Sequence, residues 1–343
     1  MAAAREPVHV PYPLPMDAWR PPSPSQLRRL VEELAEAGLD LDGSEPWHPL
    51  AIEEIAYAIR PKVHEGYVPS YGAMIDPTTD PAEWRSVTGL IIERGPLTMH
   101  PDSTTRRYAD GIASWLMRHT DGANEWVTLD RPAGSERDVV VLAGALGATI
   151  VQRHPTGIVR VVGAYGVFRW AGLGWRHEPL VSHWIDGLAG ADDGDRHVLH
   201  RLLEFAVHDL GARGIGAILV YRADESLTLS HELRLIAPPK LRITWPMALA
   251  PLRHALAQTD GAALFDAEGV LMQIGVRLVP TIEAEVGVEG FKGMRHTAAR
   301  RYSYDDPGAT VIVVSEDGPV TVFRGGEVAG TAESHVDEPI SPS

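Results

Sequence analysis

The chain contains no cysteine. Disulfides, thiolate zinc sites and cysteine nucleophiles are excluded together. Lysine is nearly absent as well: Lys62, Lys240 and Lys292 are the only three among 31 Lys and Arg residues. Arginine therefore does the surface work that lysine does elsewhere, and any single arginine carries less information. No apolar run approaches the roughly 20 residues of a membrane helix; the longest candidate, Val139 to Val151, is interrupted by Gly144 and Gly147. Met1 to Pro15 lacks a basic start followed by an apolar stretch, so no signal peptide is expected and a cytoplasmic location is. Positive charge is in deficit, with 31 Lys and Arg against 46 Asp and Glu and a formal net charge of −15. General nucleic-acid binding, which rests on neutralising phosphates, is not expected, and neither is a membrane partner. Phosphate-loop, nucleophile-elbow and zinc-protease signatures are missing too.

What is present is an ordinary globular composition, 44% hydrophobic and 22% charged over 343 residues, long enough for two domains at roughly 150 residues each. Residues 1–24 carry seven prolines and read as an extended lead-in. The spacing predicts a helix from a Ser25 cap through Ala37, with Gly38 as its stop, and a second helix over Leu50 to Ile59. Residues 85–95 read as a strand and residues 104–118 as a helix with Tyr108, Ile112, Trp115 and Leu116 on one face. Val139 to Leu142, Ala148 to Gln152, Ile158 to Val162 and Gly166 to Trp170 read as short strands. A Gly/Asp-rich loop, Gly190 to Gly194, precedes an amphipathic helix capped by Asp195 and running to Leu210, which Gly211 and Gly214 end. Strands are expected at Ile215 to Tyr221, Ala262 to Phe265, Leu271 to Arg277, 310–314 and 320–324. Helices are expected from Pro246 to Gln258 and over 295–302. The expected division is a mixed α+β region over 25–137, an α/β domain with a mixed sheet flanked by helices over 138–330, and a loose tail over 331–343.

Three separated segments carry chemistry. Asp260 stands where a helix gives way to a strand, with Gly261 and Ala262 next. A glycine there lets a ligand approach the backbone, and the carboxylate suits Mg²⁺ or Mn²⁺ held against phosphate oxygens, or a ribose hydroxyl. Asp-Gly is equally a common turn dipeptide. Gly293-Met294-Arg295-His296 precedes a helix, where backbone N–H groups favour anions and a guanidinium fits phosphate oxygens; a solvated basic turn reads the same way. Ser315-Glu316 closes a β-rich run. His197 and His200 are three apart on the amphipathic helix and read as its polar face. Gly211, Gly214 and Gly216 follow a helix and enter a strand, the reverse of the dinucleotide fingerprint. Trp170, Trp175 and Trp184, with His177 and His183, read as packing or as a pocket lining.

Residues 196–328 resemble the diadenylate cyclase (DAC, or DisA-N) family along their length. Leu202 to Tyr221 is similar to the family's opening helix and first strand, Asp260-Gly261-Ala262 to its Asp-Gly-Ala strand, Gly293 to Ser303 to its "GTRHRAA" segment, and Val311 to Val328 to its closing "VSEETG" hairpin. The resemblance implies a DAC fold and condensation of two ATP molecules into cyclic di-AMP with release of pyrophosphate. It implies Asp260, Arg295 and His296 as catalytic residues and Gly261, Ala262, Gly293, Thr297, Ser315 and Glu316 as nucleotide contacts. It also implies Mg²⁺ or Mn²⁺ on Asp260, and a homodimer or larger assembly, because each domain holds one ATP. The chain departs from the pattern at Thr297, which stands where the family has a second arginine, at Met294 in place of Thr, and at Asp317 in place of Glu. The Thr297 departure leaves a second reading open, a nucleotide-binding sensor that keeps the fold with weak or no catalysis. By analogy with the family, residues 25–137 are expected to sense a signal or organise the oligomer.

Overall fold

A computed structural model describes residues 21–61, 63, 65–98, 100–170, 172, 174–188, 193–223, 238–316 and 319–331. Most of the proline-rich lead-in, the loop at 189–192, Asp317 and the tail from 332 lie outside the described residues.

The first unit is an eight-stranded sheet in the order β2-β4-β3-β1-β5-β6-β7-β8. Its strands are β1 (Tyr71–Ile75), β2 (Ile92–Leu97), β3 (Ser114–Arg118), β4 (Asn124–Leu129), β5 (Thr149–Arg153), β6 (Val159–Gly163), β7 (Gly166–Trp170) and β8 (Trp175–Glu178). All pairs are antiparallel except β1 with β3. The period-two alternation of strands assigns the faces. Tyr71, Ala73 and Ile75 pack with α1 (Pro24–Glu36) and α2 (His48–Ala58) on one side. Met74 points to the other side, toward α3 (Trp84–Thr88) and α5 (Glu136–Leu146). The short α4 (Ser103–Arg106) positions Arg106, which with Arg118 and Tyr71 surrounds the buried carboxylate of Glu54.

Local signals explain where these elements differ from the expectations. α1 is capped by Ser23, not Ser25, through a reciprocal bond with Gln26, and Pro24 takes the first helical position. The helix expected over 104–118 stops at Arg106. The Asp110 carboxylate accepts the amides of Ile112, Ala113 and Ser114 at 2.8, 2.8 and 2.9 Å, and Gly111 turns at φ 68°. The chain therefore reverses, and Trp115 and Leu116 enter a buried strand. The strand expected over 85–95 begins only at Ile92, after α3. Val139 to Leu142, expected as a strand, lie inside α5. Ser135 and Asp138 form its capping box and Gly147 closes it in the left-handed conformation.

The division expected after residue 137 is also corrected. β5 pairs with β1 in full register, and α5 packs on the same sheet, so 138–178 complete the first unit. Its fold closes at Glu178.

The second unit is a six-stranded mixed sheet in the order β11-β10-β9-β12-β13-β14. It comprises β9 (Ala217–Arg222), β10 (Ala262–Phe265), β11 (Leu271–Val276), β12 (Ala309–Val314), β13 (Val320–Arg324) and β14 (Glu327–Thr331). β9 and β10 run parallel. Ala217, Leu219 and Tyr221 face one layer with α6 (Val181–Gly187), α7 (Asp193–Glu204) and α8 (Pro246–Leu256). Ile218 and Val220 face the other, with α10 (Met294–Asp305); α9 (Ile282–Gly287) precedes α10. Past Glu204 the helix widens into a π turn over Phe205–Leu210 and tightens over Gly211–Arg213, where Gly214 stops it.

The two units are joined by charge as well as by chain. Arg137 of α5 bonds Asp209 at 2.9 Å and Glu204 at 3.4 Å. Glu136, buried, lies 2.9 Å from His208 Nδ1. Burial pushes the Glu136 carboxyl up, but Arg169 and His208 outweigh it and hold it well below the usual range. Trp170 and Trp175 pack against the first core and Trp184 lies in the second, the packing role.

Candidate functional site

One end of β9 and the loops beside it enclose a cleft of about 370 Å³ lined by Gly214, Gly216, Thr259, Asp260, Arg295 and Glu316 among others. Asp260 follows α8 and leads into β10, and its side chain is exposed. Gly261 turns at φ 99°, and a Cβ there would stand 2.7 Å from the backbone carbon of Gly275. Glycine is thus required by the β10–β11 hairpin itself, and the tight turn sets where Asp260 emerges. Ala262 is buried in β10.

Arg295 stands in the first turn of α10. Its Nη1 donates to Glu316 Oε1 at 2.9 Å, with the two side chains 44% and 70% exposed. An exposed pair of this kind is worth about 0–1 kcal/mol, so Arg295 is held over the cleft yet exchanges partners at little cost. Glu316 follows β12 through Ser315, whose amide donates to the Pro319 carbonyl at 3.0 Å. Gly216, at the entry to β9, lies beneath this pair: a Cβ there would meet Glu316 Cγ at 2.9 Å and press on the Arg295 guanidinium.

Three predicted residues are placed differently. His296 is buried, its ring 6.0 Å from that of Phe291 and 6.2 Å from that of Phe323, and it does not line the cleft. The Thr297 hydroxyl accepts the Phe291 amide at 3.0 Å and lies 3.2 Å from the Phe291 carbonyl, which it faces as donor. It fixes the loop before α10. Gly293 is the N-cap of α10 in extended conformation. Arg300 and Arg301, the next cations along the chain after Thr297, are engaged elsewhere. Arg300 donates to the Gly326 carbonyl at 2.7 Å and Arg301 to the Val288 carbonyl at 3.2 Å. Gly214 and Gly216, whose order in the sequence is the reverse of the dinucleotide fingerprint, both line the cleft. Two glycines ahead of a buried strand were the available signal.

Among the described residues no three His, Asp or Glu side chains gather as a metal cage, and no helix is long and apolar enough to cross a membrane. The cleft offers carboxylates from Asp260 and Glu316. That set fits a Mg²⁺-type ion, which is usually held by one or two carboxylates together with substrate phosphates.

Residues 204–328 match the DAC family model, described as DisA bacterial checkpoint controller nucleotide-binding. Residues 28–178 match a second model, described as probable sensor domain DACNK; it ends with β8, where the first sheet ends. No curated protein matches the chain. Among solved structures, a hypothetical membrane spanning protein from Bacillus cereus is 21% identical over 39% of this chain and 70% of its own, with a TM-score of 0.27. A double mutant of DacA from Staphylococcus aureus is 19% identical over 45% of this chain and 88% of its own, with a TM-score of 0.26. The second unit of this protein thus carries the match to the DAC nucleotide-binding family, with Arg295-His296-Thr297 where the family has Arg-His-Arg, and it follows a unit that matches the DACNK sensor domain.

Proposed function

We propose that the protein is a cytoplasmic diadenylate cyclase-like nucleotidyltransferase that condenses two ATP molecules into cyclic di-AMP. The observation that carries this reading is the convergence of Asp260 before β10, Arg295 in the first turn of α10 and Glu316 after β12 on one cleft floored by Gly216. The triphosphate of ATP lies over the first turn of α10, where Arg295 leaves Glu316 to grip phosphate oxygens. His296, packed between Phe291 and Phe323, holds that turn in place, and Thr297 holds the loop that caps it. Gly261 and Ala262 set the height of Asp260, and Ser315 sets that of Glu316. Mg²⁺ or Mn²⁺ bound by Asp260 would lower the negative charge on the phosphates and on the attacking oxygen.

The 3′-hydroxyl of one ATP attacks the α-phosphorus of the other. A P–O bond forms as the hydroxyl gives up its proton to solvent, the bridge to the β-phosphate breaks, and pyrophosphate leaves. The same exchange in the opposite direction closes the ring. The chain contributes positioning and charge stabilisation. One cleft holds one ATP, so two copies meet face to face in a homodimer or a larger assembly. Met294, directly before Arg295 and 91% exposed, suits that contact.

A second reading, a nucleotide-binding sensor without turnover, is favoured by one observation: Thr297 brings no charge, and Arg300 and Arg301 are tied to backbone carbonyls away from the cleft. A lost charge-assisted contact costs about 1.5–3 kcal/mol, about one to two decades of affinity.

Incubating the purified protein with ATP and Mn²⁺ or Mg²⁺, followed by chromatography, separates the readings. Cyclic di-AMP is expected from the wild type and not from Asp260→Asn. ATP binding without product establishes the sensor, and no ATP binding refutes both.

A further inference from the structure

A second and larger cavity, of about 530 Å³, lies between the two units. Its walls come from the first sheet through Arg160, Arg169, Arg176 and Glu178, and from the Gly211–Gly214 turn of the second unit. Gly214 and Glu316 line both this cavity and the nucleotide cleft. An occupant would therefore sit one residue away from the carboxylate that holds Arg295.

The lining sets four arginines, Arg160, Arg169, Arg176 and Arg213, against three glutamates, Glu136, Glu178 and Glu316, a small positive excess in a chain of net charge −15. Two of its charges are already used. Arg169 is shared between Glu136 and Glu178, and Arg160 lies 3.2 Å from Glu136. Arg213 is different: it is exposed on the turn and makes no hydrogen bond or ion pair among the described residues. It lies close enough to Arg160 and His154 for its charge to disfavour protonation of both, adding to the effect of burial. Such crowding of like charges costs free energy unless something negative enters.

A second, independent feature points to an occupant. Glu178 is 4% exposed, and its Oε1 accepts from Arg169 at 2.8 Å. Its Oε2 has no hydrogen-bond partner among the described residues. A buried carboxyl oxygen left without a partner is costly, whether the group is ionised or protonated. A ligand hydroxyl or amino group would satisfy it.

We propose that this cavity binds a small phosphomonoester carrying a hydroxyl or amino group. The phosphate is taken by Arg213, the arginine of the lining whose charge is not already engaged, and the donor by Glu178 Oε2. The phosphate matches the guanidinium geometry. The donor separates this class from inorganic phosphate.

The test is calorimetric titration of the full chain with ribose 5-phosphate, with inorganic phosphate and ribose as comparison probes. Ribose 5-phosphate is expected to bind, ahead of both fragments. Arg213→Glu, at an exposed position, is expected to keep the wild-type melting profile and to weaken binding at least about tenfold. Glu178→Gln retains binding of inorganic phosphate and loses the advantage of the sugar ester. Asp260→Asn leaves the titration unchanged, whether or not that variant makes cyclic di-AMP. No heat up to about 10 mM ribose 5-phosphate, wild-type affinity in Arg213→Glu, equal binding of inorganic phosphate, or loss in Asp260→Asn would each overturn the assignment.

Discussion

Where Gly216 has a hydrogen, any other residue would place a carbon against the side chains of Glu316 and Arg295. Its backbone is not in the left-handed region, so alanine fits the chain but not the cleft. Gly216→Ala is expected to weaken ATP binding by about tenfold while changing stability by no more than about 1 kcal/mol, the level at which Gly and Ala differ elsewhere. Calorimetry and thermal melting together check this; tight ATP binding in the variant would mean the Arg295–Glu316 pair is not the grip. Asp260, Arg295 and Glu316 stand out in the sequence through their resemblance to the DAC motifs, each run being a weak signal by itself, and all three line one cleft. Gly216 was not, because its role depends on two side chains that come from 79 and 100 positions further along the chain (295 − 216 and 316 − 216). Thr297 was legible as a departure from a pattern, but its bonds to Phe291 were not.

At the level of elements, α5 carries the most information. Its Val139-Val140-Val141-Leu142 run is β-branched and reads as a strand, yet Ser135 and Asp138 close a capping box at one end and Gly147 takes the left-handed conformation at the other. Caps and stops outweighed propensity. Ser135→Ala is expected to cost about 1 kcal/mol, read as a lowered urea midpoint at unchanged slope. An unaltered midpoint would show that tertiary packing alone sustains the helix. In the second unit β9 to β13, α7, α8 and α10 were read, most of the strands being apolar runs bounded by Gly, Pro or Asp, while the short α6, α9 and β14 were not. The first unit was read poorly: β1, β4 and β8 carry Gly, Asn, Arg and His among their apolar residues. Their strand character is set by neighbours in the sheet, which a single sequence does not display.

Across the whole molecule, two buried carboxyls pull stability in opposite directions with pH. Burial, reinforced by the charge of Glu136, raises Glu178 from 4.5 to about 7 against the pull of Arg169. Its folded form thus holds a proton that the unfolded form has released between those values. Stability from this group is full below about pH 4.5 and is lost as pH rises toward 7, by on the order of 3 kcal/mol at most. Glu136, held low by Arg169 and His208, contributes stability above its unfolded value and loses it as the solution is acidified. These two groups together therefore place their joint maximum of stability near the unfolded carboxyl value of about 4.5, with a falling limb on either side. Glu178→Gln is expected to flatten the alkaline limb of a plot of melting temperature against pH while leaving the acid limb. An unchanged alkaline limb would show that Glu178 is already ionised in the folded protein.

The arginine and histidine bonds between α5 and the π turn have a consequence for how such a protein can be rebuilt. Arg137 reaches Asp209 and Glu204, and Glu136 faces His208. Grafting an unrelated front half onto residues 181–331 would leave the buried Asp209 with Arg253, at 3.4 Å, as its one remaining cation among the described residues, and would leave His208 facing whatever the newcomer offers. The halves are not interchangeable cassettes: a chimera inherits this helix only if its new neighbour brings a guanidinium and a carboxylate to the same two places.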